Sequence, residues 1–171
     1  DMDVAVVEAA NDIACESSKA NGGLVHGGYD PEPGSMKAQV NARGCQLYSQ
    51  WSQELGFAFE RPGSMVLAFN DEDRHTLDRL HAQGLKNGVC GLEIIGPERI
   101  HELEPRASEQ AVAALWCPQT GYVDPFDVAI SAAENAAANG VDFLRGHEVT
   151  QIATADDGFK IETSAGTLWT R

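Results

Sequence analysis

An acidic residue closes the first apolar run of the chain. Val6 and Val7 are followed directly by Glu8, as in a buried strand that ends at a carboxylate. In dinucleotide-binding folds, a carboxylate at such a strand end accepts the hydroxyls of an adenosine ribose, because two vicinal hydroxyls are donors and an ionised carboxylate takes both. A glutamate at a strand end is also an ordinary solvated residue, and the sequence contains no GxGxxG loop to decide between the two.

A second chemically suggestive stretch runs over residues 17–28. Its polar members are Ser17, Ser18, Lys19 and Asn21. The glycines of the stretch let a backbone approach a planar or phosphorylated ligand closely, and the hydroxyls, the amide and the amine can bind phosphate. His26 stands next to a glycine, where packing would hardly bury its ring. The same composition is also that of a flexible loop, so both interpretations stay open.

Helices are the first of the elements that must position these residues. Apolar residues at spacings of four and seven predict a helix over 35–55, with Ser35 as its N-cap. A second helix is predicted over 71–87, beginning at a cap formed by Asn70 and Asp71. A proline at the first helical position opens further helices at Pro97 and Pro125.

Strands are predicted for much of the remaining chain. A strand over 4–8 opens the sequence, and a turn at 61–63 between the apolar runs 57–59 and 65–69 predicts a hairpin. Short strands after residue 140, two of them joined by an Asp-Asp-Gly turn, predict a β-meander. We therefore expect a mixture of α/β and α+β structure, with a parallel opening and an antiparallel middle.

The composition limits the classes of function. Acidic residues outnumber basic ones by 26 to 12 among 171 residues, which gives a net charge of −14. This charge argues against binding to nucleic acid or to an anionic membrane surface, since both need clustered Lys and Arg. No apolar run reaches the roughly 18 residues of a membrane span. The four cysteines have neither CxxC nor zinc spacing, so we expect reduced, mostly buried thiols and no metal site.

The two ends of the sequence suggest a piece of a longer protein. The first residue is not Met, and a strand-like run begins already at residue 4. The last residues, 167–171, are typical of a strand that is cut in mid-course. We therefore expect further segments on both sides of this chain.

The stretch from Glu8 to Gly28 resembles flavoprotein oxidoreductases of the D-amino-acid oxidase superfamily, and the block NGGLVHGG at 21–28 is its most specific part. The resemblance continues through GSMVLAF at 63–69, GLKNGV at 84–89 and GYVDP at 121–125, so it covers nearly the whole chain. Within the superfamily, the sequence is most similar to glycerol-3-phosphate dehydrogenases of the anaerobic type and to L-2-hydroxyglutarate oxidases.

The resemblance implies FAD as the cofactor and gives roles to individual residues. The residues it assigns to cofactor binding are Glu8, Ser17, Ser18, Lys19, Asn21, Gly27 and Val149. Glu8 would bind the adenosine ribose, the loop at 17–21 would follow the pyrophosphate and ribityl chain, and the backbone of Val149 would meet the adenine. His26 and Gly27 would lie beside the isoalloxazine, where the substrate also binds.

The resemblance also implies a division of the chain. Residues 1–55 and 119–171 would form an incomplete, Rossmann-like FAD-binding domain that includes the β-meander. Residues 56–118 would form part of an antiparallel substrate-binding domain. Because the glycine-rich loop is not in the sequence, we expect the 171-residue piece alone to bind FAD weakly and to be inactive.

The implied reaction is transfer of a hydride to FAD from a small hydroxylated substrate, either glycerol 3-phosphate or a 2-hydroxy acid. His26 is the candidate base for the hydroxyl proton, because a neutral imidazole suits that task near pH 7. His26 could instead only hydrogen-bond the flavin or the backbone. Two other functions stay open, namely an amino-acid or amine oxidase of the same superfamily and a non-catalytic acidic interaction module.

Expectations for partners and location follow from the same resemblance. The partners would be a small-molecule substrate and an electron acceptor, with a quinone reached through other subunits as one option and an oligomer as another. We expect no nucleic acid and no transmembrane segment. The expected location is the cytoplasm, with peripheral association at the inner membrane face as a further option.

Overall fold

The structure is a computed structural model and describes residues 2–171. Its strands are β1 (Ala5–Glu8), β2 (Leu24–Val25), β3 (Phe59–Glu60), β4 (Ser64–Ala68), β5 (Glu93–Ile95), β6 (Ala113–Cys117), β7 (Gly121–Val123), β8 (Asp142–Arg145), β9 (Val149–Ala155), β10 (Gly158–Thr163) and β11 (Gly166–Thr170). Its helices are α1 (Met36–Leu55), α2 (Asp71–Lys86), α3 (Pro97–Leu103) and α4 (Pro125–Ala138). The mixed α/β and α+β character expected from the sequence is confirmed.

The chain folds into two compact units. One comprises the chain up to Gly22 together with Pro125–Arg171, and the other comprises Gly23–Asp124. Helix α1 therefore belongs to the second unit. The assignment of residues 1–55 and 119–171 to FAD binding, and of residues 56–118 to substrate binding, stays a prediction.

The first unit contains a parallel pair of strands and a meander. β1 pairs in parallel with β8, so that Glu8 lies opposite Arg145. β9, β10 and β11 form an antiparallel sheet in sequence order, which confirms the predicted meander. Gly158 closes the first turn of this meander with φ +146°, a backbone conformation that favours glycine.

The core of the second unit lies around β6, the central strand of the sheet β4–β6–β5. Leu115 packs against Leu77 and Leu80 of α2, whereas Ala114 packs with Ile100 of α3. Neighbouring strand residues point to opposite faces, so β6 is buried on both sides. The carboxyl end of β6 is therefore tightly packed, and the segments that contact it have little room to move.

A small sheet of the order β2–β7–β3 completes the second unit. Its pairings show that the predicted hairpin across 61–63 is wrong, because β3 pairs with β7 and β4 pairs with β6. The chain does turn at Gly63, which has φ +81° and donates its N–H to the carbonyl of Thr120 at 3.1 Å. The turn residues could be recognised from the local sequence. The strands that pair with β3 and β4, namely β7 and β6, lie far along the chain and could not.

The helix boundaries predicted from capping residues are confirmed closely. The Ser35 hydroxyl accepts the N–H of Ala38 at 3.1 Å and begins α1, and Gly56 ends that helix in the left-handed conformation. The Asn70 side chain accepts the N–H of Asp73 at 2.9 Å and begins α2. None of the helices within residues 2–171 combines the length and apolar character needed to cross a membrane.

Candidate functional site

Glu8 lies at the carboxyl end of the parallel pair β1–β8. Its Oε1 accepts the N–H of Ala10 at 2.8 Å, and its backbone carbonyl accepts the N–H of His147 at 2.9 Å. The first bond fixes the carboxylate orientation with one oxygen engaged, and the second ties the end of β1 to the segment after β8. In open α/β sheets, ligands bind in the crevice outside the carboxyl ends of strands, which is where this carboxylate lies.

Lys19 lies in the loop that follows β1. Its Nζ lies 3.1 Å from Oδ2 of Asp12 and 5.8 Å from the ring centroid of Phe126, and only 14% of its side chain is exposed. The Lys19 ammonium holds the pKa of the Asp12 carboxyl below its ordinary value, with the Ile13 N–H as a second cause. The loop therefore carries a cation held in one place by a carboxylate and an aromatic ring.

The other polar residues of the loop have different surroundings. Asn21 turns its amide inward, since its Nδ2 donates to the carbonyls of Ser17 at 2.9 Å and of Ser18 at 3.1 Å. Ser17 and Ser18 are themselves exposed. Asn21 thus shapes the loop, while the two serines present their hydroxyls on its surface.

Val149, the first residue of β9, lies close in sequence to the end of β8. Two residues earlier, His147 donates its N–H to Glu8. The structure therefore brings Glu8 and the start of β9 to the same end of the parallel pair. These residues and the loop at 17–21 belong to the first unit, whereas His26 and Gly27 belong to the second.

His26 directly follows β2 and has an exposed side chain, whereas Gly27 after it is buried. A Cβ on Gly27 would lie 2.3 Å from Sγ of Cys117 and 3.1 Å from Oγ1 of Thr120. Contacts of 2.3 Å do not occur for real side chains, so only glycine allows the backbone to approach the end of β6 this closely. The position of His26 is therefore fixed by packing of the residue that follows it.

Asn87, just after α2, anchors the same segment from a second side. Its Nδ2 donates to the carbonyl of Gly28 at 3.0 Å and to that of Pro31 at 2.7 Å. Gln83 also donates to the carbonyl of Asp30. Two side chains of the α2 region thus satisfy three carbonyls of a loop that has no regular pairing of its own.

A concavity of about 300 Å³ lies between β2 and α1. His26, Lys37, Asn41, Cys45 and Tyr48 are among its lining residues. Among the described residues, the buried Oδ1 of Asn41 has no hydrogen-bond partner. The His26 imidazole therefore borders a small cavity that also contains an amine, an amide and a phenol.

Burial changes the chemistry of two groups in this cavity. Burial raises the pKa of the Cys45 thiol against the opposing effect of the Arg61 guanidinium, and the thiol donates to the carbonyl of Gln119 at 3.1 Å. Burial also raises the pKa of the Tyr48 hydroxyl. Both groups therefore stay protonated at neutral pH and act as donors and packing groups.

The sequence did not indicate the residues that support His26. Asn87, Cys117 and Thr120 are far from His26 along the chain and carry no motif of their own. Asn87 falls within the block GLKNGV at 84–89, which the family resemblance includes. That block was the one available signal for its role.

The cysteines form no bonded or metal-binding group. All four are free thiols, but Cys15 and Cys90 are exposed and only Cys45 and Cys117 are buried, which corrects the expectation that most are buried. Within residues 2–171, no three His, Cys, Asp or Glu side chains come together in a way that could hold a metal ion.

Comparison with known proteins defines the class of this chain. A family model described as FAD-dependent oxidoreductase matches residues 1–170. The chain therefore belongs to this family of FAD-dependent oxidoreductases. The resemblance stated from NGGLVHGG and its neighbouring blocks is thereby confirmed.

Particular relatives are similar over nearly the whole chain. A glycerol 3-phosphate dehydrogenase of Caloramator mitchellensis is 38% identical over 99% of this chain and 35% of its own length. The human mitochondrial L-2-hydroxyglutarate dehydrogenase is 32% identical over 91% of this chain and 33% of its own length. The chain thus spans about a third of the curated relatives it matches.

Solved structures agree with this assignment. The dithionite-reduced L-α-glycerophosphate oxidase of Mycoplasma pneumoniae with FAD bound matches with a TM-score of 0.84 and 29% identity. The match covers 94% of this chain and 43% of that one. Amino-acid oxidases and deaminases occur among the other similar structures and support the fold.

Proposed function

We propose that this chain provides FAD-binding and substrate-facing residues of a dehydrogenase that oxidises a hydroxyl-bearing carbon. The substrate is a small anionic molecule, either glycerol 3-phosphate or a 2-hydroxy acid. The observation that carries the proposal is the exposed His26, held in place by the buried Gly27 within NGGLVHGG. The similarity to a glycerol 3-phosphate dehydrogenase along 99% of the chain supports the choice of substrate.

The residues of the first unit fit the polar half of FAD. The Glu8 carboxylate is already oriented by Ala10 and lies at a strand end, as binding of two ribose hydroxyls requires. Ser17 and Ser18 present hydroxyls on the loop surface, and Lys19 adds a fixed positive charge. When bound, FAD supplies the acceptor for a hydride, and the protein supplies binding, orientation and proton transfer.

His26 would handle the proton of the reaction. The substrate loses a hydride from carbon and a proton from its hydroxyl, and a carbonyl remains. His26 is exposed and lines the concavity, and among the described residues its imidazole has no hydrogen-bond partner, so the ring is open to a substrate hydroxyl. Lys37, which lines the same concavity, would attract the anionic end of the substrate.

The test is reduction of bound flavin in the full-length protein. Flavin should co-purify, and under anaerobic conditions glycerol 3-phosphate or L-2-hydroxyglutarate should bleach its absorbance, whereas proline and glycine should not. Bleaching by the amino acids alone would assign the protein to the amino-acid oxidases of the superfamily. A full-length protein that neither contains nor takes up FAD would leave the non-catalytic interaction module as the explanation.

Partners and location are proposed only in outline. We propose a small-molecule substrate and a separate electron acceptor, and the quinone route and an oligomer stay predictions. The cytoplasmic location and the peripheral association with the inner membrane face also stay predictions.

A further inference from the structure

Helix α1 turns one face toward the concavity that His26 lines. The residues of that face lie one helical turn apart and include Lys37, Asn41, Gly44 and Tyr48. Gly44 lies within this row, and a Cβ there would meet nothing within 4 Å. Open space over Gly44 therefore separates the amine and the amide at one end of the row from the phenol at the other.

The segment after His26 lies against the amide end of this row. A Cβ on Gly28 would lie 3.2 Å from Oδ1 of Asn41 and equally close to Ala42. The backbone two residues after His26 therefore packs directly on α1.

The residue before His26 lies near the phenol end. Val25 is the direct partner of Gly121 in the sheet β2–β7–β3. A Cβ on Gly121 would lie 2.4 Å from the ring of Phe59, whose centroid is 5.7 Å from that of Tyr48. His26 therefore lies between the phenol and the amide along α1.

Three aromatic contacts fix the ring of Tyr48. Its centroid lies 5.9 Å from that of Trp51, 6.1 Å from that of Phe57 and 5.7 Å from that of Phe59. The hydroxyl of this half-buried residue has no hydrogen-bond partner among the described residues. Side chains on a helix lean toward its N-terminus, so the phenol reaches toward the open space over Gly44. Tyrosine hydroxyls removed from solvent usually have a partner, and here a bound molecule would supply it.

The charges around the concavity fit an anionic ligand. Although acidic residues outnumber basic ones by 26 to 12, no Asp or Glu of the described chain lines it. Lys37 does line it, and its Nζ lies 3.7 Å from Oδ2 of Asp30, with 72% and 64% of the two side chains exposed. Solvent weakens such an exposed ion pair, so the amine can still attract an anion. Burial raises the pKa of the Tyr48 hydroxyl, so that group stays a donor at neutral pH.

We propose that Tyr48 is a further substrate-binding residue, whose hydroxyl donates a hydrogen bond to the end of the substrate remote from Lys37. This inference rests on the proposed function. The two residues lie about 16 Å apart along the helix axis, and their long side chains reach inward to a molecule beside His26. In glycerol 3-phosphate the remote end carries a hydroxyl, whereas in 2-hydroxyglutarate it carries a second carboxylate. Since hydrogen bonds to carboxylates are the stronger ones, Tyr48 contributes more to binding of the 2-hydroxy acid.

The experiment compares the full-length flavoprotein with its Tyr48→Phe variant, which keeps the aromatic contacts and removes only the hydroxyl. KM should rise about threefold if the substrate is glycerol 3-phosphate and about tenfold if it is L-2-hydroxyglutarate. The value of kcat should stay within about twofold of the wild type, because the hydroxyl binds substrate and transition state alike. On dithionite-reduced protein, calorimetric Kd values for the two molecules should rise by the same factors.

Tyr122→Phe is the matched control. Tyr122 is an exposed residue of β7 that does not line the concavity, and its hydroxyl donates to Glu60. Removal of that hydroxyl should leave KM, kcat and Kd unchanged.

Gly44→Leu tests whether the concavity itself holds the substrate. The new side chain enters open space, so the variant should fold and keep its FAD. It occupies the room between Lys37 and Tyr48, and should therefore weaken binding of either substrate by about tenfold or more.

Three results would overturn the inference, and they can be told apart. If a hydroxylated substrate reduces the flavin but Tyr48→Phe changes KM and Kd by less than about twofold, Tyr48 does not bind substrate and the proposed function stands. Unchanged binding in Gly44→Leu would show that the substrate lies outside the concavity. If no hydroxylated substrate reduces the flavin of a protein that contains FAD, the proposed function and this inference both fail.

Discussion

Gly27 is the residue whose backbone determines where His26 lies. A side chain at Gly27 would occupy the space of the Cys117 sulfur, and β6, which carries Cys117, is buried on both faces. The neighbour therefore has little freedom to move away. A residue with no chemistry of its own thus controls the geometry of the candidate base.

Gly27→Ala should destabilise the protein by about 1–3 kcal/mol, because overpacking in a dense interior forces shifts of the backbone. It should also slow flavin reduction by displacing His26. The measurements are denaturant unfolding and anaerobic reduction with glycerol 3-phosphate. Gly96→Ala is the matched control, since a Cβ there would meet nothing within 4 Å and the residue lies outside the stretch 17–28.

A second substitution shows whether the sulfur is the obstacle. Cys117→Ala removes Sγ and should restore part of the stability lost in Gly27→Ala, which a double-mutant cycle measures as a favourable coupling. Equal losses for Gly27→Ala in both backgrounds would contradict the packing explanation.

At the scale of elements, local signals predicted the helices better than the sheets. Ser35 and Asn70 marked the first turns of α1 and α2, because capping needs only nearby residues. The pairing of β3 with β7 depends on residues about 60 positions away, which no local pattern reveals. The family resemblance identified the loop residues at 17–21. The hydrogen bonds by which Asn87 supports the segment after His26 could be seen only in the structure.

Asn87 joins the α2 region to the loop after His26. Asn87→Ala removes two donors from carbonyl groups that are partly buried, and should lower the free energy of unfolding by about 1–3 kcal/mol. Local opening should concentrate in residues 26–31 and can be measured by amide hydrogen exchange. Asn139→Ala, which loses two exposed hydrogen bonds to Asn135 at the end of α4, is the control and should leave that region protected. Unchanged exchange over residues 26–31 in Asn87→Ala would show that Asn87 does not anchor the loop.

The whole chain carries a net charge of −14. Its free energy of unfolding should depend on alkaline pH, because the Cys45 thiol and the Tyr29 hydroxyl are removed from solvent. Burial raises the pKa of Cys45 above its ordinary value of 9.0 and that of Tyr29 above its ordinary value of 10.0. The unfolded chain releases these protons first, so the folded state binds more protons in that range. Stability is then complete below about pH 9 and falls as the pH rises further.

Cys45→Ala should make this alkaline loss of stability shallower. The measurement is the free energy of unfolding of the variant between pH 7 and about pH 10. Alanine keeps a buried methyl group at position 45 but has no thiol that can ionise. Cys90→Ala, which changes an exposed thiol, should leave the slope of the wild type unchanged. A slope in Cys45→Ala as steep as that of the wild type would contradict the role of this thiol.

In the proposed reaction, His26 takes the substrate proton during flavin reduction. Anaerobic rapid mixing of the full-length His26→Ala variant with glycerol 3-phosphate measures the rate of this step. Loss of a general base lowers the rate of such a step by about 10²–10⁴-fold. We expect a decrease of this size in the rate of flavin bleaching, with the FAD content unchanged. Bleaching at the wild-type rate with FAD retained would contradict the claim.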